Sequence, residues 1–464
     1  MKQTASLAAS RPLPRERSDA KVALPAACMA FFVIVLDTTV VNIALPAIGT
    51  SLNAGISELQ WVLDAYLVVF AGCLLSAGSL SDRLGATRCF TLGLTGFTLA
   101  SAACGLAPSA TALIAARGVQ GLAAAAMLPS SLALLRQTYP DRVALARAVA
   151  IWTAAGGVAI AAGPVVGGVV TGLIGWRAIF LINLPVGALG LVLLTRLAQS
   201  VPKPSPVDLA GQILVVLTVA ALTFAAIQAG HHGLADPSAI AGLGTAVGAA
   251  AGLWHVERRV SSPLLPPAVL RNRVVLAAAG MGIAMNFAFY GLVFVLSLYL
   301  QHVLHEPVAV AGALFLPMTA LTAGVNVLAG RITGRVGPRP PLVAGQALLA
   351  LGLAALSLVG PETPTLLLIA AMVPVGIGGG LIVPPLTAEI LEVVPAAQAG
   401  LASGIFNAGR QLGSALGVAV AGALIATDLV SGMHHALWLG TAAVLLSMVV
   451  GIRCIGTRAQ RSTC

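Results

Sequence analysis

The chain has 464 residues, of which 58% are hydrophobic and only 9% are charged. Soluble domains carry about 25% charged residues, so this composition excludes a soluble globular protein and predicts an all-α integral membrane protein. The net charge of +10 lies in short loops rather than in a basic patch with interleaved aromatic residues, which argues against nucleic-acid binding. The six cysteines are scattered, so neither a disulfide framework nor a metal site is predicted.

Apolar segments long enough to cross a bilayer as helices recur along the whole chain. We predict fourteen transmembrane helices, arranged as two six-helix bundles over 24–198 and 274–455 with two extra helices over 209–255 between them in the sequence. The predicted spans are 24–48, 60–80, 89–107, 111–135, 148–174, 177–198, 209–229, 237–255, 274–301, 308–330, 341–359, 365–387, 400–427 and 433–455. The tails 1–23 and 456–464 are predicted to lie in the cytoplasm.

Lysine and arginine residues are concentrated in alternate loops between the predicted spans. The basic loops contain Arg83 and Arg88; Arg136, Arg142 and Arg147; Arg196 and Lys203; Arg258, Arg259, Arg271 and Arg273; Arg331, Arg335 and Arg339; and Arg453, Arg458 and Arg461. The intervening loops hold almost no basic residues, with Arg177 as the exception. Because basic loops stay in the cytoplasm, we predict a multi-pass protein of the plasma membrane with both termini inside the cell.

Asp37 lies near the middle of the first predicted span, in the stretch FFVIVLDTTVVNIALP. A carboxylate at that depth costs about 2.5–3.5 kcal/mol on insertion scales, so its presence predicts a function. Burial favours the protonated form of a carboxylate, whereas a neighbouring arginine favours its charged form. A balanced group can bind a proton from one side of the membrane and release it to the other. We therefore predict that Asp37 takes up the coupling proton.

Two other ionisable residues of the N-terminal half are predicted to share in proton coupling. Asp64 lies about one turn into the second span, where hydration near the membrane surface is the alternative explanation. Arg117 lies in the fourth span, in the stretch ARGVQG, and its alternative is snorkelling towards the outer surface. A guanidinium held inside the membrane needs a carboxylate, carbonyl or water partner, so we expect Asp37, Asp64 and Arg117 to be neighbours.

The loop GSLSDRLGATR after the second span combines small residues with one acid and two bases. Gly85 permits a sharp turn, and Asp82 can accept hydrogen bonds from a helix N-terminus or pair with an arginine. We predict a latch that forms and breaks during a conformational cycle, made by Gly78, Asp82, Arg83, Gly85 and Arg88. The alternative is an ordinary loop whose bases only determine topology.

A second copy of this loop, GRITGRVGPRP, follows the tenth predicted span. Three pairs of residues repeat at a constant offset of 252 positions: Gly78 and Gly330, Arg83 and Arg335, and Gly85 and Gly337. Gly334 takes the place of Asp82, so the two loops are not equivalent. Duplicated halves are a signature of transporters, and the repeat therefore predicts transport.

The fifth span contains the sequence AAGPVVGGVV over 161–170. Pro164 removes a helical hydrogen bond, and Gly163, Gly167 and Gly168 give the helix a closely packing face. We predict that this segment bends, or seals the contact between the two bundles. Plain helix–helix packing is the alternative.

A substrate cavity inside such a bundle should be apolar and should contain a few polar groups. One candidate, in the thirteenth span, is an arginine near the midplane of the membrane. The residues predicted to line the cavity are Asn42, Gln120, Asn286, Tyr290, Asn326 and Arg410.

Six stretches of the sequence, in this order, carry a family resemblance: LDTTVVNIALP, GSLSDRLGATR, RGVQG, GPVVGG, WRAIFLINLPVG and NAGRQLGSALGVAV. With them the chain resembles the major facilitator superfamily, and within it the fourteen-helix drug:proton antiporter family. It is similar to exporters of the methylenomycin-resistance type from actinomycetes. The resemblance covers nearly the whole chain.

The resemblance implies two pseudo-symmetric six-helix bundles around a central cavity, alternating access, and export of a drug in exchange for protons. It also implies a monomer in the lipid bilayer that uses protons as coupling ions and no other cofactor. The sequence departs from the family in two places. Ala159 replaces a glycine of the motif in the fifth span, and the predicted spans 9 to 11 contain no acid for binding dicationic drugs.

Three other functions are open at this level. A proton-coupled symporter or a facilitator for a small metabolite would share the same fold. A membrane-embedded enzyme would need a nucleophile and base or a metal site, yet the chain has no H-E-x-x-H, G-x-S-x-G or G-x-x-x-x-G-K-[ST] motif, and the last absence also excludes a P-loop ATP site. A sensor or scaffold would be expected to carry a large soluble domain.

Overall fold

A computed structural model describes residues 14–139, 141–202, 208–233, 235–260, 263–264, 269, 271–394 and 399–455. These residues contain sixteen α-helices and no β-strand. Lys203, Arg458, Arg461 and the predicted tail 456–464 lie outside the described residues. Of the predicted tail 1–23, residues 14–23 are helical and continue the first transmembrane helix, because Pro14 occupies the first helical position and good helix formers follow it.

Seven helices form the N-terminal half: α1 (Pro14–Leu52), α2 (Ile56–Leu84), α3 (Ala86–Gly105), α4 (Ala110–Thr138), α5 (Arg142–Leu173), α6 (Ala178–Leu181) and α7 (Asn183–Leu194). Two follow it: α8 (Leu209–His232) and α9 (Pro237–Glu257). Seven form the C-terminal half: α10 (Arg273–His302), α11 (Val308–Leu314), α12 (Leu316–Val336), α13 (Arg339–Leu356), α14 (Thr365–Val393), α15 (Ala399–Ile425) and α16 (Leu429–Cys454).

Twelve segments of the described chain are long and apolar enough to cross a membrane. The fourteen predicted spans include two more, which are α3 and the α6–α7 pair. The α6–α7 pair is apolar but shorter than the others, over Ala178–Leu194. Its helix is interrupted after Leu181, because Pro185 has no N–H to donate to the carbonyl of that residue.

Polar residues in the connecting segments start several helices. Each of these residues accepts a hydrogen bond from a backbone N–H of the first turn, which satisfies a donor that the helix itself leaves unpaired. The N-cap residues are Ser109, Asp141, Asp208, Asp236, Asn272 and Asp428. Four of the acids outside the spans therefore have a local structural role.

The two halves repeat each other in structure as well as in sequence. The offset of 252 relates Ile56 to Val308, where α2 and α11 begin, and Leu84 to Val336, where α2 and α12 end. Gly85 and Gly337 follow these ends with φ of 84° and 85°, in the left-handed region that favours glycine. The pairing α1–α5, α2–α4 and α3–α4 recurs as α10–α15, α12–α14 and α13–α14.

The halves contact each other through α2 against α15 and through α5 against α11 and α12. The two extra helices are peripheral: α8 packs against both α2 and α15, and α9 packs on α8. The helix pair therefore covers one edge of the contact between the halves.

Hydrogen bonds between the halves are concentrated at the end of the molecule where α1 is followed by α2, called here the closed end. Gln60 donates to the carbonyl of Ala419 at 2.7 Å, Ser297 to that of Asn42 at 2.8 Å and Gln301 to that of Ile43 at 3.1 Å. At the opposite end, called the open end, there is open space beside Gly78 of α2 and Gly404 of α15.

Candidate functional site

A buried ion pair joins α1 to α4 in the N-terminal half. Arg117 donates from Nη1 to Oδ2 of Asp37, and both side chains are only 1% exposed. Arg117 also donates from Nε to the carbonyl of Val62 at 3.0 Å, and its guanidinium carbon lies 4.3 Å from the centre of the Tyr66 ring. The snorkelling explanation for Arg117 is therefore wrong, because the guanidinium is held inside the bundle.

Gln120 extends this ion pair into a network. Its amide donates to Oδ1 of Asp37 and to the Ser101 hydroxyl, both at 2.9 Å, and its carbonyl oxygen accepts from Arg117 at 2.7 Å. The sequence placed Gln120 in the substrate cavity. That placement is wrong for this structure, since the side chain is fully buried and bonded to the ion pair. Its position one turn after Arg117 on the same helix face explains the contact.

Asn183, the first residue of α7, is the fifth member of the network, after Asp37, Arg117, Gln120 and Ser101. Its amide lies 3.3 Å from Oδ1 of Asp37 and 3.3 Å from the Ser101 hydroxyl. The sequence analysis assigned no function to Asn183 or Ser101. Asn183 belongs to the stretch WRAIFLINLPVG, which signalled the family, whereas a single serine such as Ser101 in an apolar span carries no signal.

Arg117 also faces a cavity between the two halves. The cavity is small, with a volume of about 10 Å³, and is lined by Thr38, Asn42, Leu63, Tyr66, Leu67, Arg117, Tyr290 and Val418. Asn42 and Tyr290 thus occupy the predicted position. Oδ1 of Asn42 and the hydroxyl of Tyr66 have no hydrogen-bond partner, so both are available to a ligand. Pockets for drug-sized ligands have volumes of about 300–1,000 Å³, so this cavity must widen greatly to hold one.

The C-terminal half has a looser polar cluster. Asn286 donates to the Ser414 hydroxyl at 3.0 Å, and its carbonyl oxygen lies 3.5 Å from Nε of Arg410. Arg410 is half-buried and also lies 3.5 Å from Oδ1 of Asn407. Neither Asn286 nor Arg410 is among the residues that line this cavity, so their role in substrate binding stays a prediction.

Asn326 is also outside the cavity. Its backbone nitrogen lies beside Gly380, where α12 packs against α14 within the C-terminal half. Asn326 is not among the residues that line the cavity in this structure, and its role in substrate binding stays a prediction.

Asp64 does not join the Asp37–Arg117 network. It is completely buried, which excludes hydration at the surface, and neither of its carboxylate oxygens has a hydrogen-bond partner. The ring of Tyr66, two residues later, packs against the guanidinium of Arg117, and side chains two positions apart on a helix do not share a face. The expectation that Asp64 neighbours Asp37 is therefore wrong.

The predicted latch loop is held by the segment after α7 rather than by an ion pair. The carbonyl of Ser200 approaches Gly85 so closely that a side chain there would collide with it, and Thr87 donates to the carbonyl of Ala198 at 3.0 Å. Asp82, Arg83 and Arg88 are exposed, and Gly78 has open space beside it. Within the part of the chain whose side chains are described, Asp82 has no arginine partner.

The glycines of α5 contact helices of both halves. Gly163 and Gly167 pack against Thr39 and Val40 of α1, with no room for a side chain at either position. Gly168 packs against the backbone of Val308 and Ala309 in α11, and the carbonyl of Pro164 lies against Gly312 of the same helix. The segment therefore combines the two functions considered for it, since it packs within one half and seals against the other.

Residues 27–418 match the family model described as Major Facilitator Superfamily. The chain belongs to this superfamily. Membership makes it a membrane transporter rather than an enzyme, and it confirms the resemblance inferred from the six stretches of sequence. The described residues thus form an all-helical major facilitator fold with twelve candidate membrane spans.

Several members of the superfamily are similar over most of this chain. "Multidrug resistance protein Stp" of Mycobacterium tuberculosis is 39% identical over 86% of this chain and 74% of its own length. "Methylenomycin A resistance protein" of Streptomyces coelicolor is 35% identical over 93% of this chain and 90% of its own. A crystal structure of a POT family transporter with 5-aminolevulinic acid has a TM-score of 0.71 at 13% identity, over 94% of this chain and 96% of that chain, which shows a shared fold alone.

Proposed function

We propose that this transporter exports small amphipathic drugs or antibiotics from the cell in exchange for protons, by alternating access between the two faces of the plasma membrane. The single observation that carries this proposal is the Asp37–Arg117 ion pair, because Arg117 also lines the cavity between the halves. The resistance and export proteins to which the chain is similar support the choice of substrate class.

Proton uptake on Asp37 is the step that couples the two fluxes. A proton that binds to a carboxylate oxygen removes the negative charge from the pair, so Arg117 loses its counter-ion while Gln120 and Asn183 retain their contacts to Oδ1. The unpaired guanidinium is costly to keep buried, and a shift of the N-terminal half towards a hydrated cavity relieves that cost. Drug binding instead favours the state in which Asp37 is deprotonated, so drug and proton bind in alternation.

The membrane potential is large enough to drive this cycle. One proton that moves inwards through a potential of 100 mV releases about 2.3 kcal/mol, before any pH gradient is added. We propose that the proton is the coupling ion and that no other cofactor takes part.

Alternating access requires that the closed end opens while the open end closes. If basic loops lie in the cytoplasm, the closed end faces outwards and the open end faces the cytoplasm, with both termini on the cytoplasmic side. Close packing of Gly168 and Pro164 against α11 lets the halves rock about α5 without side chains between them. The loop at Gly78 and Asp82 lies at the open end, where a contact between halves would form after rocking.

We propose fourteen membrane crossings, with α3 and the α6–α7 pair added to the twelve candidates. Ser101 of α3 and Asn183 of α7 contact the same buried network as α1 and α4, which supports counting both segments as crossings. Their greater polarity or shorter length is tolerated because protein rather than lipid surrounds their polar groups. We further propose a monomer.

Transport by inverted membrane vesicles tests the function. Vesicles with an imposed pH gradient should accumulate drug and release protons from the lumen, and Asp37→Asn should abolish both fluxes. Asp428→Asn is a matched control, since Asp428 is exposed and asparagine caps a helix as well as aspartate does. Accumulation that leaves the gradient intact, or a fully coupled Asp37→Asn variant, would rule out proton antiport.

A panel of antibiotic susceptibilities in a pump-deficient host would then narrow the substrate. Resistance that the wild type confers and the Asp37→Asn variant does not would identify the transported compounds. Uptake of a metabolite together with protons would instead support the symporter alternative.

A further inference from the structure

Two fully buried polar side chains on α2 and α8 have no partner in the structure. Neither carboxylate oxygen of Asp64 accepts a hydrogen bond, and the hydroxyl of Thr223 makes none. Threonines in helices usually donate to the carbonyl four residues earlier, as Thr218 of the same helix does to Leu214 at 2.6 Å. The Thr223 hydroxyl is free of this local bond and is available to another group.

The face of α8 that carries Thr223 is the face that packs on the transporter core. Val216 packs over Gly72 of α2 so closely that a side chain there would collide with it, and Gly230 packs in the same way against Ala423 of α15. Thr223 is seven residues after Val216 and seven residues before Gly230. Seven residues make almost two full turns of a helix, with a shortfall of about 20°. Thr223 therefore lies on the same face, between the contact to α2 and the contact to α15.

The direction of Asp64 on α2 is set by its neighbours along the helix. Gln60 faces α15, because it donates to the carbonyl of Ala419, and Gly72 faces α8. At 3.6 residues per turn, Asp64 is rotated by about 40° from Gln60 and by about 80° from Gly72, and its direction lies between theirs. Asp64 is thus directed into the seam between α15 and α8.

The two side chains also lie at the same depth. Gln60 of α2 contacts Gly422, the residue before Ala423, so the start of α2 and the end of α8 meet α15 at one level and the two helices are antiparallel. From the contact of Gly72 with Val216, Asp64 lies about 12 Å towards the closed end and Thr223 lies about 10.5 Å in that direction. The difference in depth is about one residue.

We propose that Thr223 is the hydrogen-bond partner that the extra helix α8 supplies to Asp64, and that the pair is a proton-binding site separate from the Asp37–Arg117 pair. The proposal rests on the proposed function, in which Asp64 takes part in proton coupling, and it adds a positioning residue and a role for α8.

The chemistry of the two groups suits proton exchange. A carboxyl group without a charged partner is costly to bury as an anion, so in the closed seam it carries its proton. The two groups are not hydrogen-bonded to each other in this structure, and the proposed bond from the carboxyl to the threonine oxygen forms when the two side chains rotate towards each other. When the seam opens and the proton leaves to water, the threonine hydroxyl rotates and donates to the carboxylate. One hydroxyl provides both a donor and an acceptor, and the same side chain therefore stabilises both states.

Few other ionisable groups can act on this pair. Among the residues whose side chains are described, α15 contributes Arg410, which is bonded to Asn286, and α8 contributes His232 at its last position, near the closed end. On the other side of α2, α4 contributes Arg117, which is paired with Asp37 of α1. Opening of α2 from α15, which breaks the Gln60 contact, is thus the event that exposes Asp64.

The test compares hydroxyl-free and hydroxyl-bearing variants at one position. Thr223→Val keeps the shape of the side chain, Thr223→Ala is a second hydroxyl-free variant, and Thr223→Ser retains the hydroxyl. Thr218→Val is the matched control, because its hydroxyl is bonded within its own helix. Acid–base difference infrared spectra of the protein in lipid, without drug, report the carbonyl stretch of protonated carboxyl groups, and loss of a band in Asp64→Asn assigns it to Asp64.

We expect Thr223→Val and Thr223→Ala to shift the Asp64 band, and Thr223→Ser and Thr218→Val to leave it near the wild-type position. Proton-driven uptake of drug by inverted vesicles should fall about fivefold in the hydroxyl-free variants, which is the factor for one hydrogen bond of about 1 kcal/mol. The Asp64→Asn variant should show no further loss when Thr223→Val is added, because the two changes remove the same interaction.

Three results would overturn the proposal: an Asp64 band that Thr223→Val and Thr223→Ala leave in place, an equal shift in Thr218→Val, or no band that Asp64→Asn removes. These results are independent of the proposed function, since the spectra contain no drug. Failure of the proposed function would appear instead as intact proton-coupled transport in Asp37→Asn, with the infrared result unchanged.

Discussion

The two halves of the transporter repeat the same helix packing but differ in how they hold buried charge. In the N-terminal half, Arg117 pairs with the carboxylate of Asp37. It also donates to the backbone carbonyl of Val62 at 3.0 Å and to the side-chain carbonyl of Gln120 at 2.7 Å. In the C-terminal half, Arg410 is half-buried and has only neutral partners at 3.5 Å. The corresponding helices of the C-terminal half contain no such pair, since α10 has no acidic residue and α14 has no lysine or arginine.

The difference indicates a division of labour between two copies of one fold. Helix packing depends on shape and small residues, which both copies keep, as α2–α4 and α12–α14 show. A buried ion pair is retained only where its cost is offset by a function. Proton coupling is therefore expected to belong to the N-terminal half, while the C-terminal half adapts to the substrate.

The largest effect is expected from Arg117→Met. Removal of one member of a buried pair leaves the other charge uncompensated, at a cost of about 3–5 kcal/mol, so proton-driven transport should fall by about 100-fold or more. Drug uptake by inverted vesicles measures the loss, with the amount of folded protein checked by size-exclusion chromatography.

The variant Arg117→Lys sharpens the same point. Lysine keeps the charge but cannot contact Asp37, Val62 and Gln120 with the fixed geometry of a guanidinium, so it should recover only a small part of the activity. Wild-type transport by Arg117→Lys would contradict the importance of these guanidinium contacts, because a positive charge alone would then suffice for coupling.

A smaller effect is expected from Asn183→Ala, which removes one amide from the network around Asp37. A hydrogen bond contributes about 0.5–1.5 kcal/mol, so coupled transport should fall about threefold to tenfold. Exchange of labelled drug across the membrane, which moves no net proton, should change less than proton-driven uptake.

Thr195→Ala is the control for this variant, since its exposed hydroxyl bonds only to Val192 at the end of the same helix. Equal losses of exchange and of proton-driven uptake in Asn183→Ala would mean that Asn183 only stabilises the fold.

The smallest effect on coupling is expected from Arg410→Gln in the C-terminal half. The weak contacts of Arg410 to Asn286 and Asn407 predict little loss of stability, and the number of protons released per drug should stay at the wild-type value. A change of about threefold in the apparent KM for drug is expected if the cavity extends to Arg410 when it widens. A changed proton-to-drug ratio would break the comparison between the halves.

Much of the site could be predicted from the sequence because charges in apolar spans are conspicuous. Asp37 and Arg117 were both singled out, and the structure brings them together. Gln120 was found as well but was assigned to the cavity, because the sequence indicates that a polar residue is buried without indicating what it faces. Ser101 and Asn183 were missed, since single neutral polar residues are common in membrane helices.

The sequence by itself determined the class of the protein, most helix positions, the internal repeat and the family. These properties depend on length, hydropathy and local motifs, to which the bilayer responds in the same way along the whole chain. Only the tertiary structure decided the rotation and tilt of each helix about its neighbours. That rotation depends on close packing at positions such as Gly72 and Gly168, and it directs Asp37 to Arg117 but Asp64 to the seam with α8.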